Sequence, residues 1–414
     1  MQTPETHQGL EQQPTAPPGT ARHRQPPARR FTLSRLSLKY GLVSVFTLMT
    51  VGFWVLLPAF GSMINIWVIL ESMAIVVVAA LGVTFSLAVG GWDLSIGSNI
   101  SFVVMVGAIC LVEFNTGALV ALVACLASGL AIGALNALLI VKGKVPDMIA
   151  TLGTMFVFQG LALVIAGGNN IAPGMTLANG RTAPGGMGAI LNWIGNGTIG
   201  FGIPGLVVIL LLTAVVVFVV LELSRFGRTM YALGLNREAA RLAGIPVNRY
   251  RAAAYLLSGL LGGVAGIMLL GLLGNGQVNA GSPYLLECVA AALIAYAFLG
   301  LKRPSVQGTV FGALFVSVVI NGLTMFNVPY YAEDTTYGLL LMLALILTFA
   351  VGEGNPAAGS RRLARRIQRR EPPKAVEAGA NRRGAIAGQG GSGSVDRSSL
   401  MESAREEEGT RDDA

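Results

Sequence analysis

The chain has little charge. Only 12% of its 414 residues are charged and 53% are hydrophobic, with a mean hydropathy of +0.65, whereas a typical soluble domain is about 25% charged. This composition excludes an ordinary water-soluble protein. The net charge of +8 is compatible with a nucleic-acid binder, but most basic residues outside the two ends flank apolar runs instead of forming aromatic-interleaved surfaces, so we expect no nucleic-acid partner.

Residues that carry catalytic or metal chemistry are also scarce. The two histidines, His7 and His23, lie in a polar N-terminal segment, and the cysteines Cys110, Cys125 and Cys288 lie in apolar runs without C-x-x-C spacing. This pattern supports neither a disulfide framework nor a metal site. The sequence also has no G-x-x-x-x-G-K-[ST] nucleotide motif. We therefore predict a protein that is not an enzyme and has no cofactor of its own.

What the chain does have is long apolar runs. A helix of about 20 mainly apolar residues crosses the hydrocarbon core of a bilayer. The runs predict an all-α polytopic membrane protein with about ten transmembrane helices and a short cytoplasmic helix between two of them. The ten candidate spans are 38–58, 66–89, 96–113, 117–141, 148–167, 204–223, 252–274, 284–301, 304–325 and 336–351.

The placement of lysine and arginine predicts the orientation, because positive loops are retained on the cytoplasmic side. With both termini inside, 28 of the 29 basic residues are cytoplasmic and only Arg181 lies outside. We predict three regions: a disordered cytoplasmic segment 1–37, a transmembrane domain 38–352, and a disordered cytoplasmic tail 353–414 that is first basic and then mixed in charge. The connector 168–203 is then extracytoplasmic.

The other long connector, 224–251, is predicted to be cytoplasmic and carries six arginines. Within it, Asn236 is a good N-cap, Glu238 suits the first turn, and Gly244 with Pro246 would end a helix of about seven residues. Such a helix is too short to be stable alone in water. It is therefore expected to dock into a partner, and the alternative is an amphipathic helix on the lipid headgroups.

Polar residues inside spans are costly unless they find partners or line a path. Most of those noted are neutral amides, which disfavours a proton- or sodium-coupled transporter and places the energy source outside this chain. Glycines four apart, such as Gly129 and Gly133, predict close helix packing within the fold or at a subunit interface. The polar residues noted are Asp93, Asn99, Asn136, Gln159, Glu287 and Asn321.

Two motifs resemble a known family. Residues 90–97 read Gly-Gly-Trp-Asp-Leu-Ser-Ile-Gly, which resembles the G-G-x-D-L-S-x-G signature of ribose-type permease subunits of bacterial ABC importers. Residues 232–246 resemble the coupling-helix loop of that family, and 149–154 and 320–323 also fit its pattern. The resemblance runs from about residue 40 to residue 350. It fails at 295–304, where relatives usually have a Gly-rich run.

The resemblance implies a permease subunit for a simple sugar such as ribose or xylose, in the bacterial cell membrane. It also implies three protein partners: a cytoplasmic ATPase subunit that binds the ATP, an extracytoplasmic solute-binding protein, and a second permease copy or paralogue. The implied ATPase-coupling residues are Asn236, Arg237, Glu238, Ala239, Ala240, Arg241, Gly244, Ile245 and Pro246. The candidates for the translocation pathway are Gly90, Gly91, Trp92, Asp93, Ser95, Asn99, Asn136 and Asn321.

Several alternatives stay open at the level of sequence. Segment 90–97 is either unwound backbone at a protein-lined cavity or a simple cytoplasmic turn. We expect Asp93 to cap the following helix through the amide of Ser95 or Ile96 rather than to contact solute. The alternative functions are a permease for branched-chain amino acids or nucleosides, a proton-coupled secondary transporter, and a membrane scaffold that works through its basic tail.

Overall fold

The computed structural model describes residues 33–177, 180–200, 202–298, 303–329 and 332–352. These residues are almost entirely helical, and a two-stranded antiparallel pair, β1 (Thr198–Ile199) and β2 (Ile203–Pro204), precedes α7. The helices are α1 (Leu33–Leu56), α2 (Met63–Ala88), α3 (Ile96–Ala108), α4 (Ala118–Ala137), α5 (Asp147–Ile165), α6 (Gly188–Asn196), α7 (Gly205–Phe218), α8 (Arg225–Leu235), α9 (Arg237–Leu242), α10 (Val247–Leu273), α11 (Ser282–Ala297), α12 (Val306–Met325) and α13 (Glu333–Gly352).

Short turns of other helix types join or extend these helices. A 3₁₀ turn, Pro58–Gly61, links α1 to α2. The π-helical turns Ile109–Glu113, Leu138–Lys142 and Val219–Leu223 continue α3, α4 and α7 to their ends. With these turns included, α3, α4 and α7 reach 18, 25 and 19 residues, long enough to cross a bilayer.

Each of the ten predicted spans overlaps a helix of the structure. Seven helices of the described chain are long and apolar enough to cross a membrane: α2, α5, α10 and α12, together with α3, α4 and α7 when their π turns are included. Helices α1 and α11 contain shorter apolar stretches, Gly41–Leu56 and Ser282–Tyr296. An all-α polytopic membrane protein is therefore confirmed, while the count of ten stays a prediction.

The predicted terminal segments lie mostly outside the described residues. Helix α1 begins at Leu33, inside the predicted segment 1–37, and residues 1–32 are not among those described. The predicted tail 353–414 lies wholly outside them. The prediction that both ends are disordered therefore stays a prediction.

Helix α10 lies at the centre of the bundle. It packs against α2, α3 and α4, and α6 covers its far end. Around this centre, α5 packs on α3, α7 packs on α2, and α11 packs on α2, α12 and α13. Side chains on α2 from Ala74 to Val89 are buried almost without interruption. The core is therefore built from α2, α3 and α10, and the other helices surround it.

Glycines bring α4 and α10 into close contact. A methyl group added to Gly129 would lie 2.7 Å from the carbonyl oxygen of Gly259 and 2.8 Å from Cα of Gly263. Because no side chain fits there, only glycine lets the two backbones approach so closely. Gly259 and Gly263 are the α10 side of this contact, and two further pairs with the same spacing also face helices of the same chain: Gly262 and Gly266 face α3, and Gly308 and Gly312 face α11. Of the two roles predicted for these glycines, the structure shows packing within the fold.

The basic residues gather at one end of the bundle. This end, here called the arginine end, comprises residues 88–95, 142–147, 222–251 and 303–306, which are joined by contacts of Arg237 with Gly90 and Asp147 and of Arg303 with Glu222. Among lysines and arginines whose side chains are described, all except Arg181 lie there. The structure thus separates the charges as the sequence predicts.

Candidate coupling and translocation site

Helix α9 forms where the sequence predicts a short helix. The Oδ1 of Asn236 accepts a hydrogen bond from the Ala239 amide at 2.9 Å, and Glu238 pairs with Arg241 at 2.7 Å. The helix ends at Gly244, whose φ of +79° is a left-handed conformation that glycine adopts without strain. The amide of Gly244 donates to the Arg241 carbonyl at 3.0 Å. Asn236, Glu238 and Gly244 therefore take the positions predicted for the N-cap, the first-turn acid and the helix-ending glycine.

The surface of α9 is exposed and carries apolar groups. Of the predicted coupling residues, Ala240 is buried and Ile245 is half-buried, while the other seven are exposed. Leu235 and Leu242, on either side of the helix, are 83% and 81% exposed. Exposed leucines beside an exposed polar helix are typical of a surface that a partner protein covers.

A mostly buried carboxylate links α9 to the bundle. Asp147, the first residue of α5, accepts hydrogen bonds from Arg237 at 3.4 Å and from Arg251 of α10. Arg237 also donates to the Gly90 carbonyl at 3.1 Å. The side chains of Asp147 and Arg251 are only 12% and 13% exposed. This group, here called the Asp147 junction, links α9 to α5, to α10 and to the turn after α2.

The sequence reasoning missed Asp147. The available signal was an acid at the start of an apolar run in a chain with few acids, directly after a connector that carries Lys142 and Lys144. The arginines that neutralise this acid are 90 and 104 residues away in the chain. Such pairing depends on the three-dimensional packing of α5, α9 and α10, which the local pattern does not specify.

In segment 90–97, residues 90–95 form an irregular and mostly buried turn between α2 and α3, and Ile96 and Gly97 begin α3. Gly90 has a φ of +70° and lies against the backbone of Gly234, at the end of α8. The carboxylate of Asp93 is 2% exposed; its Oδ1 accepts hydrogen bonds from the amide and hydroxyl of Ser95, at 2.9 and 2.6 Å. Its Oδ2 accepts from the Ser258 hydroxyl at 2.6 Å. Asp93 therefore bonds the Ser95 amide, one of the two predicted.

The polar network extends from Ser95 into two further helices. Asn136 of α4 donates to the Ser95 hydroxyl at 2.8 Å, and Thr154 of α5 donates to the Asn136 carbonyl group at 2.6 Å. Asn99 of α3 donates to the Gly259 carbonyl of α10 at 3.0 Å. Buried polar groups connected in this way make a rigid junction between helices. Gly91 and Trp92 pack beside it, against Tyr255 and the core.

The eight candidates for the translocation pathway do not form one site. Five of them, Gly90, Gly91, Trp92, Asp93 and Ser95, lie in the turn at the arginine end, and Asn136 and Asn99 lie beside it on α4 and α3. Asn321 lies near the end of α12, where its amide and that of Asn65 donate to each other at 3.0 Å. The sequence grouped these residues because most of them are polar. In the structure α12 begins at the arginine end and runs away from it, so Asn321, near the far end of α12, is separated from the other seven.

A second buried carboxylate, also missed from the sequence, lies at the end of α7. The side chain of Glu222 is 7% exposed and accepts hydrogen bonds from the Tyr231 hydroxyl at 3.0 Å and from Arg303 at 2.9 Å. The guanidinium of Arg303 lies 4.4 Å from the centre of the Tyr231 ring. Burial, with the nearby Glu222 carboxylate, raises the pKa of Tyr231, so its hydroxyl stays protonated and donates.

Glu222, Tyr231 and Arg303, here called the Glu222 cluster, give a structural role to part of the segment that departs from the family pattern. Arg303 lies in 295–304, where the resemblance fails. Its ion pair, with the bond from the Val306 amide to Glu222 at 3.3 Å, ties the start of α12 to α7 and α8.

Replacing Arg303 with glutamine is expected to lower the free energy of unfolding by about 1–3 kcal/mol, because Glu222 would stay buried without its cation. The measurement is the thermal unfolding midpoint of the purified protein in detergent. Arg225→Gln, which removes an exposed arginine from the same end of the bundle, is the matched control. Equal midpoints for both variants would show that the Glu222 cluster contributes nothing to stability.

The fold and this end of the bundle define the class of protein. It is a multi-pass membrane protein with a short exposed helix, α9, which the Asp147 junction links to the membrane-spanning helices. Residues 65–350 match the family described as "Branched-chain amino acid transport system / permease component". The match covers well over half of the chain, and the chain belongs to this family of transport permeases.

Individual relatives are similar over most of their length. The ribose import permease protein RbsC of Escherichia coli (strain K12) is 32% identical over 319 residues, which covers 77% of this chain and 96% of the relative. The L-arabinose transport system permease protein AraH of the same strain is 29% identical, covering 77% and 93%. The xylose transport system permease protein XylH is 28% identical, covering 73% and 89%. No solved structure is significantly similar to the chain.

These matches confirm the resemblance predicted from the two motifs. The family match at 65–350 lies within the region 40–350 that the motifs indicate. Both 90–97 and 232–246 fall inside it. The family is one of transport permeases, in agreement with the prediction that the chain is not an enzyme.

Proposed function

We propose that this protein is the permease subunit of a bacterial ABC importer for a simple sugar such as ribose, xylose or arabinose. The observation that supports it best is the similarity to a ribose import permease over 96% of that relative, together with the arabinose and xylose permeases. The family description names branched-chain amino acids instead. Because the individual relatives cited are sugar permeases, the sugar assignment is favoured.

In this proposal α9 is the coupling helix. A cytoplasmic ATPase subunit would cover its exposed surface, including Leu235 and Leu242, and would bind the ATP. Movement of α9 would reach the spans through Arg237, which contacts both Asp147 and Gly90. Coupling is then a rigid-body shift of one element that re-packs its neighbours.

The proposal places the arginine end in the cytoplasm and connector 168–203 outside the cell membrane. The separation of basic residues supports this orientation. An extracytoplasmic solute-binding protein would deliver sugar at the outer end, and a second permease copy or paralogue would complete the membrane unit. Both chain termini are then cytoplasmic, and the basic tail would lie on anionic headgroups.

The test of function is sugar uptake by cells that express the permease with its ATPase and its binding protein. Labelled ribose, xylose and arabinose are compared with labelled leucine, with and without the ATPase. We expect uptake of at least one sugar that disappears when the ATPase is absent. Uptake of leucine alone would support the amino-acid alternative, and uptake driven by a proton gradient without ATPase would contradict the proposal.

The orientation predicts which cysteines an impermeant reagent reaches. Cysteine at Gly180 should be labelled from outside intact cells, and cysteine at Asn248 only after the cells are opened; both sites are exposed. The background is Cys110→Ser, because Cys125 and Cys288 are buried and Cys110 is partly exposed. The reverse labelling pattern would overturn the orientation.

A further inference from the structure

A cavity lies between α2, α11, α12 and α13, at the end of the bundle opposite to the arginine end. Its volume is about 260 Å³, and its lining includes polar side chains from all four helices. It is distinct from the buried turn at 90–97, none of whose residues line it. The main polar lining residues are Ser72, Tyr284, Glu287, Ser317, Thr324 and Tyr337.

The lining is unusual for the interior of a membrane protein. A carboxylate within a membrane span is costly, and such residues face a protein-lined or water-filled cavity and mark substrate paths. Glu287 is half-buried on α11 and faces this cavity. The hydroxyls of Ser72 and Thr324 donate to the carbonyls of Ile69 and Ile320 in their own helices, and their oxygens can still accept hydrogen bonds. Ser317 adds a third hydroxyl to the lining. Polar groups on four helices therefore converge on one space.

These groups match a neutral ligand with many hydroxyls. A carboxylate accepts hydrogen bonds from hydroxyl donors, and so do the hydroxyl oxygens of Ser72 and Thr324, whose own protons are donated within their helices. Tyr284 and Tyr337 provide apolar ring faces, each with a polar tip. A divalent cation would need several oxygen ligands with more negative charge, and Glu287 is the one carboxylate among the described lining residues. The lining therefore favours a sugar over a metal ion.

The size of the cavity agrees with this chemistry. Pockets for drug-sized ligands measure about 300–1,000 Å³, and this cavity of about 260 Å³ suits a smaller molecule. Its wall is fixed at one side because Asn321, which also lines it, is held by the paired amide of Asn65. A monosaccharide with a partial water shell fits these dimensions.

We propose that this cavity is a binding site for a neutral monosaccharide on its way through the permease, with Glu287 accepting hydrogen bonds from the sugar hydroxyls. The proposal rests on the function proposed above, because the cavity lies at the end where that function places sugar entry. Beyond that function, it identifies the residues that would contact the sugar inside the membrane domain. Among the predicted pathway residues only Asn321 belongs to this cavity.

The first test measures sugar uptake by the complete transporter, with its ATPase and binding protein, in proteoliposomes. Glu287→Gln is expected to lower the rate of uptake, measured at a limiting sugar concentration, about tenfold, because a hydrogen bond to a charged acceptor is lost. Thr324→Phe, which fills the cavity from an exposed position on α12, is expected to lower it further. The matched control is Glu71→Gln, a carboxylate on α2 that does not line the cavity, and it should retain wild-type uptake.

The second test does not depend on turnover. Cysteine at Thr324, in the Cys110→Ser background, is labelled with an impermeant thiol reagent in the same proteoliposomes. Ribose, xylose or arabinose should slow the labelling, and leucine should not. Labelling that no sugar slows, or a cysteine that the reagent does not reach, would overturn the proposal.

The outcomes separate the two proposals. If the wild-type transporter takes up none of the three sugars, the proposed function fails. If it takes up sugar while Glu287→Gln and Thr324→Phe behave like Glu71→Gln, the function stands and the cavity is not the binding site.

Discussion

Gly244→Val is expected to abolish ATP-driven uptake while the permease still reaches the membrane. Gly244 ends α9 with a φ of +79°, and nothing lies within 4 Å of a methyl group placed there. The substitution therefore meets no clash, but an L-residue in the left-handed region costs about 1–2 kcal/mol, and valine more because it is β-branched. The chain would leave α9 in another direction, and the exposed helix would no longer fit its partner.

The control for this prediction is Gly244→Asn. Asparagine tolerates the left-handed conformation, so this variant should retain most of the uptake although it also adds a side chain. The measurements are sugar uptake and co-purification of the ATPase subunit, with membrane content checked by immunoblot. If Gly244→Val transports sugar and retains the ATPase as the wild type does, α9 is not the coupling helix.

Asp147→Asn is expected to uncouple ATP hydrolysis from transport. The substitution removes the carboxylate that Arg237 and Arg251 share, so the bond from Arg237 to Gly90 and the packing of Ala240 would be left to hold α9 to the spans. Loss of one partner from a buried ion pair costs about 3–5 kcal/mol, so stability should fall as well. The measurement is the ratio of sugar transported to ATP hydrolysed by the complete transporter in proteoliposomes.

A double variant separates coupling from stability. Asp147→Asn with Arg251→Gln leaves no unpaired buried charge, so the unfolding midpoint should recover while the transport ratio stays low. Arg241→Gln is the matched control, because Arg241 is 71% exposed and pairs with Glu238 at the surface; it should change stability by less than about 1 kcal/mol. If the double variant transports sugar at the wild-type ratio, the Asp147 junction does not carry coupling.

Much of the fold was predictable because its signals are local. The apolar runs specify helices of membrane length, and each predicted run overlaps a helix. The boundaries of α9 follow from Asn236 and Gly244, whose capping roles depend on a few neighbouring residues. Asp93 was assigned to Ser95 or Ile96 for the same reason, and it bonds Ser95.

The site was less predictable because its contacts join distant parts of the chain. Asp147 meets Arg237 and Arg251, and Glu222 meets Arg303, each across at least 81 residues. A sequence shows that an acid lies in an apolar run but not which arginine faces it. Asn321 was grouped with Asn136 because both are amides within spans, although packing puts them at opposite ends of the bundle.

By itself, the sequence determined that this is a membrane protein, where its helices lie along the chain, and to which permease family it belongs, since these depend on composition, local patterns and similarity. Only the tertiary structure decided which helices form the core. Helices α2 and α4 have the same mean hydropathy, 2.4, yet 67% of the apolar stretch is buried in α2 and 28% in α4. Lipid and protein interior are equally apolar, so hydropathy does not distinguish them. The packing does: α2 is enclosed by α7, α10, α11 and α12, whereas α4 packs mainly on α10 and α3 and leaves its other side exposed.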